Sequence, residues 1–155
     1  MPATYVAVVL LQSLVLPIAS GIVELAAQGG DPVIVLGRWF LFWGVGTRLL
    51  LAGIVQVTRP SFTARDILGT DAGGALHIVQ ELGFANIAMG TVAVIGAYVP
   101  AWYVPAALPG GIFLGQAGLR HVAKAGKGLE ERVATWTDLL VAGAMLVFVA
   151  RIAVG

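Results

Sequence analysis

Five stretches of this chain run for about 20 residues or more with hardly a charge, long enough for each to cross a bilayer as an α-helix. They fall at roughly 4–27, 33–57, 77–99, 103–122 and 133–154. A bilayer core offers backbone groups no water, so spanning segments must satisfy their own hydrogen bonds, and helices do so within one segment. Composition agrees. The chain is 59% hydrophobic and 11% charged, with a mean hydropathy of +0.94, whereas soluble domains carry about 25% charged residues. The expectation is an all-α integral membrane protein of the cell membrane, a five-helix transmembrane bundle forming one domain over residues 1–155, with the lipid bilayer as its first partner.

The first stretch differs from a secretory leader. It lacks a basic start, and its apolar run is too long, so it is expected to stay as a membrane helix kinked at Pro17. The fourth stretch is the least regular. Pro105 and Pro109 interrupt its beginning and Gly110-Gly111 follow, so irregular backbone to about Pro109 and helix beyond is expected. The fallback is four spans plus a partial or re-entrant element. Between the second and third spans, SFTARDIL (61–68) has the pattern of a short interfacial helix capped by Ser61 or Thr63, or is an ordinary connector.

With five spans, Arg59, Arg65, Lys124, Lys127 and Arg132 share one side of the bundle with the N-terminus, and Arg120 sits at its edge. The positive-inside rule then makes the N-terminus cytoplasmic. Trp39, Trp102 and Tyr103 suit the outer aromatic belt and Trp136 the inner one. A formal net charge of +1 gives no argument for a nucleic-acid partner. The absence of cysteine excludes disulfides and thiolate chemistry. No Ser–His–Asp spacing, HExxH, P-loop or GxGxxG motif is present, so a hydrolase or nucleotide enzyme has no support, and no cofactor is implied.

The second span, GRWFLFWGVGTRLLLAG over 37–53, holds two arginines. Arg38 lies near its outer end and is expected to meet Glu24 on the preceding antiparallel helix. Arg48 lies near mid-span, where an unpaired arginine costs about 2.5–3.5 kcal/mol on insertion scales. Gly44, Arg48, Ala52 and Gln56 recur every four residues, so Arg48 shares a small-residue face suited to the bundle interior. A carboxylate partner is expected from Glu81, Asp138 or both. On the third span His77, Glu81, Ala85 and Ala88 form one stripe, and Gly83, Asn86, Gly90 and Ala97 another. His77 and Glu81, with His121 and Asp138, have donor types that would suit a first-row divalent metal, and the two histidines would suit haem. Histidine at a headgroup boundary is the commoner explanation.

GRWFLFWGVGTRLLLAGIVQVTRP (37–60) and QELGFANIAMGTVAVIGAYVP (80–100) resemble the opening of DoxX-like membrane proteins. The resemblance covers about residues 37–154 and leaves the first span as an addition. In that family the glycine precedes the acid, whereas here the order is Glu81-Leu82-Gly83. What the resemblance implies is a bacterial helical membrane protein, with an accessory link to quinol oxidation or thiosulfate metabolism. The chain is also similar to small bacterial membrane families recorded as domains of unknown function.

Three functional readings follow. The first is a membrane protein, such as a transporter, whose buried polar site binds a small ligand or ion through Arg48, Glu81, Asn86, Gln116 and Asp138. The second is an accessory or scaffolding subunit, as a homo-oligomer or in a membrane complex, whose charge pair only fixes helix register. The third is a quinone- or metal-linked redox protein with Trp39, Phe40, Phe42 and Trp43 lining a slot. A polar cavity reaching Arg48 would favour the first. Gly111 and Gly115 facing outward would favour the second, and facing the chain's own helices a self-contained bundle.

Overall fold

The computed structural model describes residues 2–63, 73–122 and 128–155. Among these residues the chain is all-helical, with no strand. Helix α1, over residues 2–28, joins Pro2–Leu10 to Leu16–Gln28 through a widened turn at Leu11–Val15. Helix α2, over 32–58, joins Pro32–Trp39 to Arg48–Thr58 through a longer widened stretch, Phe40–Thr47. Helices α3 (Gly73–Gly96), α4 (Tyr103–Val122) and α5 (Leu129–Val154) follow. Four segments are long and apolar enough to cross a membrane: Thr4–Gln28, Pro32–Thr58, Ala75–Gly96 and Glu131–Val154. Helix α4 is not among them, because its prolines, glycines, Gln116, Arg120 and His121 dilute its apolar content.

Where the chain departs from sequence expectation, proline and glycine explain it. Instead of a simple kink at Pro17, α1 widens just before it. The amide of Leu16 reaches back five residues to the Leu11 carbonyl. Pro17 has no N–H to offer the carbonyl four residues earlier, so the ladder shifts by one step. Helix α4 does not begin as irregular backbone but is helical from Tyr103. Pro105 falls in its first turn, where amides have no intrahelical partner to lose, and Pro109 is carried inside the helix. Pro60–Phe62 forms one helical turn after α2; most of the 61–68 segment lies outside the described residues.

Consecutive long helices run antiparallel. Helix α2 is central and touches all four others, while α1 and α5 pack together, as do α5 and α4. Residues of one end of the bundle, Thr58, Gly73, Val122 and Leu129, lie opposite Gln28, Pro32, Gly96 and Tyr103. The core gathers Leu41, Val45 and Leu49 of α2 with Ala93 and Ala97 of α3, Ala107 of α4, and Val141 and Phe148 of α5. Helices α2 and α3 approach backbone to backbone. A methyl group on Gly53 would lie 2.6 Å from the Gly83 carbonyl oxygen and 2.9 Å from the Ile87 nitrogen. Close approach through small residues is the usual route to helix association in lipid, where apolar side chains gain nothing by leaving the bilayer. Gly111, Gly115 and Gly118 of α4 face Met145, Ala142 and Leu139 of α5, so they are spent within the chain.

Candidate functional site

The central polar node lies where both widened stretches meet α5. Leu11–Val15 turns Gln12 and Ser13 inward, and both are buried. Phe40–Thr47 ends immediately before Arg48. Arg48 Nη2 donates to Asp138 Oδ1 at 2.5 Å, and its Nη1 donates to Ser13 Oγ at 3.2 Å. Beside this, Gln12 Nε2 donates to Thr47 Oγ1 at 3.0 Å, and the Thr47 hydroxyl donates to the Trp43 carbonyl at 3.0 Å. The side chains of Arg48 and Asp138 are 11% and 7% exposed, so the pair sits inside protein contacts rather than in lipid or water. Three helices, α1, α2 and α5, are thereby tied at one level. Widened turns are frequent at functional sites because they aim side chains and carbonyls off the ordinary helical ladder.

Of the two carboxylates expected for Arg48, the structure joins Asp138 and not Glu81. Glu81 is exposed on α3, as is His77. The reason is helical phase. The face of α3 that packs inward carries Val79, Gly83, Asn86, Gly90, Ala93 and Ala97, and Glu81 falls outside it. Gln116 is likewise exposed on α4. Asn86 is buried but lies in a separate contact, donating from Nδ2 to Gln56 Oε1 at 2.8 Å. Its Oδ1 has no hydrogen-bond partner. The residues Arg48, Glu81, Asn86, Gln116 and Asp138 therefore do not converge on one chamber. One apolar cleft, about 190 Å³, is lined by Ala88, Met89, Val92, Ala106 and Pro109 and by none of these five residues.

A second node closes the other end of α1 and α2. Glu24 Oε2 accepts from Arg38 Nη2 and from Trp39 Nε1, the latter at 2.6 Å. The Arg38 guanidinium also lies 5.0 Å from the Trp39 ring centroid, a cation–π contact. Trp43 Nε1 donates to Ser20 Oγ one turn deeper. The aromatic run Trp39–Trp43 is thus committed to polar contacts with α1 and to edge-on packing around Phe42. Nearby, Asp31 Oδ1 caps α2 by accepting from the amides of Val33 and Ile34, while its Oδ2 accepts from Arg151 Nε and Nη2 at 2.8 and 2.7 Å. The Ile34 amide bond first, then the Val33 amide and Arg151, hold the Asp31 carboxyl below the usual aspartate value, against a partial opposing effect of desolvation.

His121 Nδ1 lies 3.2 Å from Glu131 Oε1, linking α4 to α5 at the end of the bundle where they are joined in sequence. His77, Glu81, His121 and Asp138 do not gather: no group of three or more His, Asp or Glu side chains placed to hold a metal occurs among the described residues. Sequence reasoning missed Gln12, Ser13 and Thr47. A Gln-Ser step inside an otherwise apolar first span was the available signal. Comparison with protein-family models, with curated proteins and with solved structures finds no match to this chain.

Proposed function

We propose that this chain is a multi-pass cell-membrane protein that acts as an accessory or scaffolding subunit, with Arg48–Asp138 as the pin that sets helix register. The observation that carries the reading is the state of Arg48. Its guanidinium already donates to Asp138 and Ser13, and both members of the ion pair are nearly covered by helix contacts. Removing one member of a buried pair strands the other, which is how such a pair enforces one arrangement of three helices. The α4 glycines face α5, which favours a self-contained bundle, so in this reading any partner surface lies on other outward faces. In this reading α4 completes a fifth span, and the positive-inside rule applied to Arg59, Arg65, Arg120, Lys124, Lys127 and Arg132 favours a cytoplasmic N-terminus. The DoxX-like likeness of 37–60 and 80–100 points the same way, to an accessory subunit.

A second reading rests on the two widened turns. Helix stretches of this kind can relax to ordinary geometry, and a small anion could then replace Asp138 on Arg48. Thermal unfolding of the purified protein across a panel of small anions separates the two. The register-pin reading expects no anion-specific rise in Tm. A rise that is abolished in Arg48→Met would replace it with the ligand-binding reading.

A further inference from the structure

Helices α3 and α4 follow one another in the chain and contact each other along a seam. Near the turn that joins them, Gly96 packs directly on Ala106. Below it the apolar cleft opens between Ala88, Met89 and Val92 on one wall and Ala106 and Pro109 on the other. The stripes that line it can be followed further. Glu81 lies seven residues before Ala88 and eleven before Val92, so it shares their face of α3. Gln116 and Arg120 lie seven and eleven residues after Pro109, so they share its face of α4. All three polar residues are exposed.

Depth brings the two charges level. Counted from the Gly96–Ala106 contact, Glu81 is fifteen residues along α3 and Arg120 fourteen along α4. At the helical rise both lie about 21–23 Å from that contact, on opposite walls. Yet they form no ion pair, and neither has another ionic partner among the described residues. By this count a carboxylate on the α3 side and a guanidinium on the α4 side stand at one level, with the apolar cleft above them.

We propose that this seam binds a zwitterionic aminophospholipid of the phosphatidylethanolamine type. One acyl chain lies in the cleft against Ala88, Met89 and Pro109. The headgroup bridges the two helices at the level of these charges, with its phosphate on Arg120, its ammonium on Glu81, and Gln116 donating to a phosphate or ester oxygen. Arginine suits the phosphate because its planar donors reach two oxygens at once, and a carboxylate suits the ammonium. An anionic lipid such as phosphatidylglycerol would satisfy Arg120 but set its phosphate beside Glu81 with no ammonium to separate them.

The test is native mass spectrometry of the full chain released from nanodiscs of equal parts phosphatidylethanolamine and phosphatidylglycerol. The expected result is a retained lipid enriched about fivefold in phosphatidylethanolamine over the bilayer, as one exposed charge contact can supply. Glu81→Gln should abolish that preference while keeping a bound lipid, and Arg120→Gln should weaken retention of both lipids. Ala88→Phe, which fills the cleft from an exposed position, should remove the adduct, with an unchanged circular-dichroism melt showing that the bundle is intact. A lipid adduct whose composition matches the bilayer and ignores Glu81→Gln overturns the proposal. So does the absence of any adduct, or a dimer cross-linked through Gln116→Cys, which would put a second copy in the seam.

Discussion

Arg48 and Asp138 stand 90 residues apart in the chain and 2.5 Å apart across the α2–α5 contact. Ser13 Oγ of α1 accepts a second hydrogen bond from the guanidinium. A mid-span arginine is costly in an apolar segment, and these two acceptors offset that cost.

The Ser13 contact predicts a graded response. Ser13→Ala leaves Arg48 its carboxylate and removes one hydrogen bond to a charged donor. The expected loss is about 1 kcal/mol, in keeping with interhelical hydrogen bonds measured in membranes. Reversible unfolding in mixed micelles would show it. A loss as large as that of Arg48→Met would mean that Ser13 does more than accept one bond.

Packing of α2 on α3 predicts a strong size limit at Gly53. A methyl group there meets the Gly83 carbonyl and the Ile87 backbone nitrogen, neither of which can swing aside. Gly53→Ala should destabilise by about 1–3 kcal/mol, the range for overpacked cores. Gly143→Ala is the control, because a methyl group there meets nothing within 4 Å. Its helix position makes it neutral or slightly stabilising.

The Asp31 clasp predicts a pH dependence with a fixed sign. Its folded pKa lies below the usual 3.8, chiefly through the Ile34 amide bond. A depressed carboxylate pKa gives stability that is fully present above the unfolded value and lost as pH falls through the folded one. The Tm difference between the parent and Asp31→Ala should therefore be constant from neutral pH down to about 5 and shrink below 3.8. A difference that grows on acidification would reverse the assignment.

The Glu24 node predicts a spectroscopic change. Trp39 donates its indole proton to Glu24, and Arg38 stacks near its ring. Glu24→Ala should alter tryptophan emission while Trp102 and Trp136, both exposed, stay as they are. Comparison with Trp39→Phe in the same background identifies the ring responsible. An identical difference spectrum with and without Trp39 would contradict the contact.

Four of the five expected span positions and the interior face of Arg48 were readable from apolar length and four-residue spacing. Glu24 and Arg38 could be paired because both lie near the same ends of consecutive helices. Choosing between Glu81 and Asp138 was beyond spacing alone. Helix α3 has two small-residue stripes, and only the one through Gly83, Asn86 and Gly90 packs on α2. The stripe through Glu81 faces away from α2. Gln12 and Ser13 were hidden for a related reason. A widened turn advances the helical phase, and a constant 3.6-residue period carried along α1 and α2 does not include that shift. Pro17 and the Gly44–Gly46 pair mark the places where it occurs.

A double-mutant cycle on Arg48 and Asp138 tests the central claim most directly. Arg48→Met and Asp138→Leu should each cost about 3–5 kcal/mol of unfolding free energy, because each strands a buried charge. The double variant, with both charges gone and similar volume kept, should recover most of that loss. Losses that simply add in the double variant would show that the two residues act independently, and the pin between α2 and α5 would be withdrawn.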